Sequence, residues 1–301
     1  MRRIALDFDF SRIAVPFRMQ PGLLRLAKGT PQLTPLDPGS ALHAEKRLVV
    51  QAGQSRHCVA GFDPTPAIDS IAARARLMRA GEQFDTQTPL ELAFEEDFAV
   101  LDGATGTLPW LCVCVPSHWA PEDKLGLDFA ALHGPVADNA ALLAASRQLV
   151  ALATGGECWE RFVWTVTPSP RYDQHPRRHP RDDGPHALHC VSALPPEGAA
   201  ARLGAARRRA PWPATQDAEA FAAQCFLRAE RQTFFPVGQS TRQAVFTIRV
   251  MLGPLVQVAN TPAKARRLHD SLASMSDGVL AYKGLLDACP RLLRWLKART
   301  G

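Results

Sequence analysis

The chain has 301 residues, of which 46% are apolar and 21% charged, enough for a substantial core and too much apolar content for a wholly disordered polymer. The net charge of +6 comes largely from arginine-rich stretches at 177–181 and 202–209, which read as solvated loops that an acidic partner could meet. No aromatic interleaving or nucleic-acid motif accompanies them, the seven cysteines are irregularly spaced, and no segment approaches the roughly 20 apolar residues of a membrane span. The expectation is a cytoplasmic protein with no nucleic-acid or membrane partner.

Five prolines between Pro16 and Pro38 predict loops and short strands at 15–40. The pattern DSIAARARLMRA predicts a helix over 69–80, capped by Asp69 and stopped by Gly81; PLELAFEEDF predicts another over 89–98, with Pro89 in its first turn. LPWLCVCV at 108–115 reads as a buried strand with Leu111, Val113 and Val115 on one face and Cys112 and Cys114 on the other. An amphipathic helix is expected over 139–153, capped by Asp138 and ended by Gly155 and Gly156, followed by a strand at 159–167. From 168 to 213 the composition shifts to Pro, Arg, His and Gly, predicting a long loop or insert in which 187–194 could form a strand. FLRAERQTFF suits helix by propensity, but the turn-like PVGQSTR and the alternating QAVFTIRVML at 243–252 favour a hairpin. Thr261-Pro262, Ser276 and Pro290 open three C-terminal helices. The sum is an α+β chain, read as one domain over 1–301 with antiparallel strands and flanking helices.

No dinucleotide fingerprint, phosphate loop, nucleophile elbow, zinc-protease motif or iron–sulfur spacing is present. His175, His179, His186 and His189 fit no zinc pattern and read as solvated loop residues. Cys112 and Cys114 read as core thiols rather than metal ligands. His133, in LHGPVADN, sits in a loop between a predicted strand and a predicted helix. It can reach a cofactor cavity or serve a structural hydrogen bond. In Arg228-Ala229-Glu230-Arg231-Gln232-Thr233, a strand would put Arg228, Glu230 and Gln232 on one side and Arg231 on the other. A carboxylate there could orient a cationic amine and its arginines could grip carboxylates; a surface ion-pair ladder is the other reading.

Taken together and in order, PFRMQPGLLRL, EEDFAVLDG, VCVPSHWAPEDKLGLDFAALHGPVAD, RFVWTV, RAERQTFFPV with AVFTIRV, and LAYKGL resemble the α subunit of the haem-dependent oxidative N-demethylases over about residues 15–286. The resemblance implies a PAS-like antiparallel sheet whose flanking helices form a pocket for haem b. It implies a monooxygenase subunit that removes a methyl group from a small methylated amine with molecular oxygen, releasing formaldehyde. Electrons would come from a separate flavin and iron–sulfur reductase subunit. By position, His133 is the candidate axial ligand of the haem iron. Glu230 and Arg231 are candidate catalytic residues, and Arg228 and Arg249 candidate cofactor contacts. The sequence departs from the family pattern at Val163, where the family tends to carry asparagine, and at Phe234-Phe235-Pro236, where it tends to carry a leucine-proline step. A non-catalytic haem-binding PAS-like sensor or carrier is the alternative.

Overall fold

A computed structural model describes residues 8–19, 22–77, 88–179, 211–238 and 241–301. Seven antiparallel strands form one sheet: β1 (Leu24–Arg25), β2 (Arg56–Cys58), β3 (Glu96–Asp102), β4 (Trp110–Cys112), β5 (Trp159–Thr167), β6 (Phe226–Pro236) and β7 (Gln243–Pro254). Their order is β1-β5-β6-β7-β3-β4-β2. The long β6–β7 hairpin lies at its centre, with Phe226 opposite Pro254 and Pro236 opposite Ala244. The hairpin reading of 226–252 therefore holds, and β5 has the predicted bounds. Alternation along paired strands wins over the helical propensity of FLRAERQ because each rung adds a cross-strand side-chain pair as well as a backbone bond.

Register divides the strand residues into two faces. On one face Trp164, Val166, Leu227, Ala229 and Met251 pack against the C-terminal helices through Leu255, Leu268, Leu280, Leu292 and Trp295. Further along that face, Phe98, Val100, Phe235 and Val245 meet Ala67, Ile71 and Ala75 of the helix Thr65–Leu77. On the other face, Ala99, Leu111, Phe246 and Ile248 are covered by the segment 113–125 and by the helix Ala41–Gln51. Leu101 and Phe234 are covered there by the helix Ser146–Ala153.

The C-terminal helices Pro262–Ala273, Asp277–Lys283 and Cys289–Lys297 start where expected. The side chains of Thr261 and Ser276 accept from the backbone of Lys264 and Val279. Gly284, at φ +69°, ends the second of them in the left-handed conformation that glycine adopts without a Cβ clash.

Several elements differ from expectation. The helix predicted over 69–80 is Thr65–Leu77, so Asp69 is inside it rather than capping it, and Gly81 lies outside the described residues. The helix predicted over 89–98 stops after Leu90–Ala93, because β3 begins at Glu96 and pairs along its length with β7. The strand over 108–115 is regular only at Trp110–Cys112. Beyond it the chain bends, with the Val113 N–H donating to Ser55 and the Val115 N–H to the Asp97 carboxylate. Cys112 and Cys114 are both buried, as expected, but Val115 joins Cys114 in one cluster instead of facing away from it.

The helix over 139–153 is two helices, Ala140–Ala144 and Ser146–Ala153. Asp138 has φ +54° and does not cap; Asn139 stands at the cap position and donates backwards to the carbonyls of His133 and Gly134. Of the 168–213 segment, 168–179 and 211–213 are described; the possible strand at 187–194, His186 and His189 lie outside the described residues. His175 is not solvated. It is 3% exposed, with Nε2 at 3.2 Å from Glu122, and His179 lies 3.0 Å from Asp173. Among the described residues, no helix is long and apolar enough to cross a membrane.

Candidate functional site

The sheet face covered by 113–153 carries a cavity of about 340 Å³. That volume falls in the range of small-molecule and cofactor sites, roughly 300–1,000 Å³. Its walls are largely apolar, with Ala99, Leu111, Trp119, Val136, Phe246 and Ile248 among them. A second cavity of about 100 Å³ adjoins it, and Leu108, Leu132, His133, Arg161 and Phe246 line both.

His133 is not a loop residue but the last residue of the short helix Phe129–His133, whose start is capped by Asp128. Its Nδ1 lies 2.8 Å from the Phe129 carbonyl, and its ring stacks on the Phe129 ring at 4.1 Å. A carbonyl only accepts, so Nδ1 carries the proton and Nε2 keeps its lone pair. Burial holds the imidazole down at about 4; the Arg161 and Lys124 charges add to this, and the Phe129 bond opposes it. A neutral imidazole with one nitrogen anchored to backbone and the other bearing a lone pair is the form in which histidine binds metals.

The cavity-facing side of β5 and β6 follows from register. Thr165 lies opposite Arg228, Val163 opposite Glu230, and Arg161 opposite Gln232. All six line the cavity. Their polar members form one chain. Arg228 Nε donates to Ser117 Oγ at 2.6 Å, and Ser117 donates to Glu230 Oε1. Gln232 Nε2 donates to Glu230 Oε2 at 2.7 Å, and Arg161 Nε donates to Gln232 Oε1 at 2.6 Å. The amide orientation of Gln232 is forced, because a guanidinium can only donate and a carboxylate can only accept.

Arg228 is spent inside the protein. Besides Ser117, it donates to the carbonyls of Tyr172 (2.7 Å) and Val115 (2.9 Å), and it is 1% exposed. Burial lowers its pKa and the Glu230 charge raises it; a guanidinium stays cationic through such shifts. The same holds for Arg161, lowered by burial and supported by Glu230 and Tyr282.

The structure thus brings His133, Arg228 and Glu230 to one cavity and sends the other two sequence candidates away. Arg231 and Arg249 are directly paired across β6 and β7, on the opposite face. Arg231 donates to Glu160 at 3.0 Å and to the Pro31 carbonyl at 2.8 Å. Arg249 donates to Glu95 at 2.6 Å. Sequence reading missed Arg161, Gln232 as a bridge, and Ser117. The first two were within reach, since an odd-numbered β5 residue opposite an even-numbered β6 residue shares the Glu230 face once the register is known. Ser117 comes from a loop more than a hundred positions away, and no local pattern marks it.

Fold and cavity define an α+β protein with a cavity on one sheet face, lined by a neutral histidine and a half-buried carboxylate. The family model for haem-dependent oxidative N-demethylase, alpha subunit-like proteins matches residues 72–293, and the chain belongs to that family. The match takes in β3 to β7 and every cavity residue named above. The family's description marks it as haem-dependent and as one subunit of an assembly.

The residues present suit a haem. Nε2 of His133 has a lone pair to offer iron, the walls are mostly apolar, and Lys124 and Lys283 add positive charge to the lining, which suits a group that carries carboxylates.

Proposed function

We propose that this chain is the haem-binding subunit of an oxidative N-demethylase that acts on a small methylated amine. The observation that carries the reading is the pairing, in one apolar cavity, of the neutral His133 with the hydrogen-bonded carboxylate of Glu230. Bound haem b would supply the oxygen activation. The antiparallel sheet with a pocket on one face supports a PAS-like description of the fold.

In this reading His133 would hold the iron through Nε2, while the Phe129 carbonyl and ring fix its orientation and tautomer. Lys124, in the lining, would supply positive charge for the propionates, while Arg228 serves Ser117, Val115 and Tyr172 and Lys283 donates to the Trp164 carbonyl. Glu230 receives the substrate. Its two oxygens accept one hydrogen bond each from Ser117 and Gln232, and a carboxylate offers about four acceptor sites, so room remains for an ammonium N–H. An ammonium entering an apolar cavity loses hydration, which a carboxylate offsets. Glu230 then takes the proton, leaving the neutral amine that is open to oxidation. Val163, opposite Glu230, contributes only apolar surface to this end of the cavity.

The overall reaction balances with one molecule of oxygen, two electrons and two protons. One oxygen atom leaves in formaldehyde, the other in water, and the N–CH3 bond becomes N–H. The electrons come from a separate flavin and iron–sulfur reductase subunit, as expected for a chain with no dinucleotide or iron–sulfur motif.

The test starts with His133→Ala, which should abolish or displace the Soret band. An unchanged spectrum and haem affinity would remove His133 from the role. Wild-type protein supplied with a reductase should release formaldehyde from a methylated amine in step with oxygen consumption. A stable haem spectrum that no methylated amine perturbs would favour the sensor or carrier reading.

A further inference from the structure

Arg161 lines the cavity with donors to spare. Among the described residues its guanidinium makes one side-chain hydrogen bond, through Nε to Gln232, and Nη1 and Nη2 have no protein partner. Its neighbour in the lining, Arg228, satisfies Nε, Nη1 and Nη2 with protein acceptors. The two also differ in exposure: Arg228 is fully buried among its acceptors, whereas Arg161 is only half-buried at the cavity. A half-buried guanidinium that lines a cavity and has two terminal nitrogens to spare offers a planar fork, the geometry that binds a carboxylate with two parallel bonds.

The partner charge is fixed nearby. Arg161 faces Gln232 across β5 and β6, Glu230 is two residues along the same strand, and both Arg161 and Glu230 line the cavity. They do not collapse into an ion pair. Gln232 stands between them, accepting from Arg161 with its carbonyl and donating to Glu230 with its amide nitrogen. The bridge holds one positive and one negative group apart on a single wall, each with capacity left over.

From this arrangement we infer that the cavity selects a zwitterion, an N-methylated amino acid whose ammonium meets Glu230 and whose carboxylate meets Arg161, in preference to a simple alkylamine. The inference deepens the demethylase reading and rests on it. Gln232 sets the span between the two charges, and so the length of amino acid accepted. An alkylamine of the same size would satisfy Glu230 and forgo the charge-assisted bonds to the Arg161 fork, and that difference gives discrimination.

The carboxylate on Arg161 could equally belong to a haem propionate, and the experiment separates the two. Haem-loaded protein is titrated calorimetrically with dimethylamine, with N,N-dimethylglycine, and with its homologues longer by one and two methylene groups. At least one amino acid should bind roughly ten- to a hundred-fold tighter than dimethylamine, as expected for one added charge-assisted contact. Arg161→Gln should erase that preference while retaining haem, measured from the absorbance spectrum. If no amino acid outperforms dimethylamine in the wild type, the inference is wrong whatever the variant does. Loss of haem from Arg161→Gln would assign the arginine to a propionate and overturn it too. Binding and demethylation of dimethylamine alone would sink this inference but leave the demethylase reading standing. A wild type that binds neither class of amine would sink both.

Discussion

The two faces of the central sheet use the same kinds of residue differently. On the helix-packed face, Arg231 and Arg249 stand side by side and each turns to a carboxylate from another strand or segment, Glu160 or Glu95. On the cavity face, Arg228, Glu230, Gln232 and Arg161 form a hydrogen-bonded chain with Ser117, and the closest charged pair in it, Arg228 with Glu230, is 3.9 Å apart. Pairs that neutralise each other stabilise a fold and bind nothing more. A chain that keeps charges separated retains capacity for a ligand. Glu230 and Arg231 are adjacent in sequence and fall on opposite sides of this division.

The strongest test of that contrast is Arg228→Met. It removes three hydrogen bonds and leaves Glu230 without its adjacent buried cation, so a loss of about 3–5 kcal/mol in unfolding free energy is expected. Urea titration measures it, and a loss below about 1 kcal/mol would mean that Arg228 is not the tie described. Next in size is Glu230→Gln, which keeps shape but removes charge. It should weaken amine binding by roughly 1.5–3 kcal/mol, read from the amine-induced Soret shift, with haem content retained. Equal amine affinities in variant and wild type would defeat the anchor role.

A pH scan sharpens the helix-packed side. Burial raises Glu96 to about 7, against the opposing bond from the Thr34 N–H and the charge of Arg249. Its folded-state value lies above the unfolded one, so the folded chain binds more protons between about pH 4.5 and 7. Glu96 therefore favours the fold at the acid end of that window, and this contribution is lost as the pH rises through 7. Glu96→Gln should flatten this fall in stability; an unchanged slope would point to another group. Glu91 behaves in the opposite sense. Bonds from Arg56 and Ser55 overcome its burial and hold it at about 2, so its contribution is lost only on strong acidification. The smallest effect is expected for Arg231→Gln. The pair with Glu160 is largely buried, but Glu160 keeps Arg12 at 3.6 Å, so the cost should be about 1–2 kcal/mol, with haem and amine affinities unchanged. A large loss of either affinity would return Arg231 to the site.

Much of the sheet was legible because β5, β6 and β7 alternate cleanly, and three C-terminal helices announced themselves through Thr261, Ser276 and Pro290. Two misread segments, PLELAFEEDF and 139–153, have the local propensity of longer helices. In PLELAFEEDF, pairing of Glu96, Asp97 and Phe98 with β7 overrides it. At 139–153 the run divides at Ala145 instead, and Asp138 adopts a positive φ. For the site, alternation alone separated Glu230 from Arg231. It could not place Arg249, which needed the hairpin register, nor Ser117 and Tyr172, which arrive from distant loops.

The three acceptors on Arg228 belong to two pieces of chain: the Val115 carbonyl and Ser117 hydroxyl from the loop after β4, and the Tyr172 carbonyl from the segment after β5, both gathered on β6. Mechanically the guanidinium is a rivet. With the Ser117–Gln174 bridge beside it, the rivet makes that end of the cavity a stiff abutment, since spreading any one layer breaks bonds to a desolvated cation. The facing wall, with Leu132, Val136 and Leu142, is built of short helices whose tie to the C-terminal region includes the exposed Ser276–Asp138 hydrogen bond. The cavity is thus asymmetric in compliance, and molecules entering or leaving would pass on the side of the short helices, where displacement costs least.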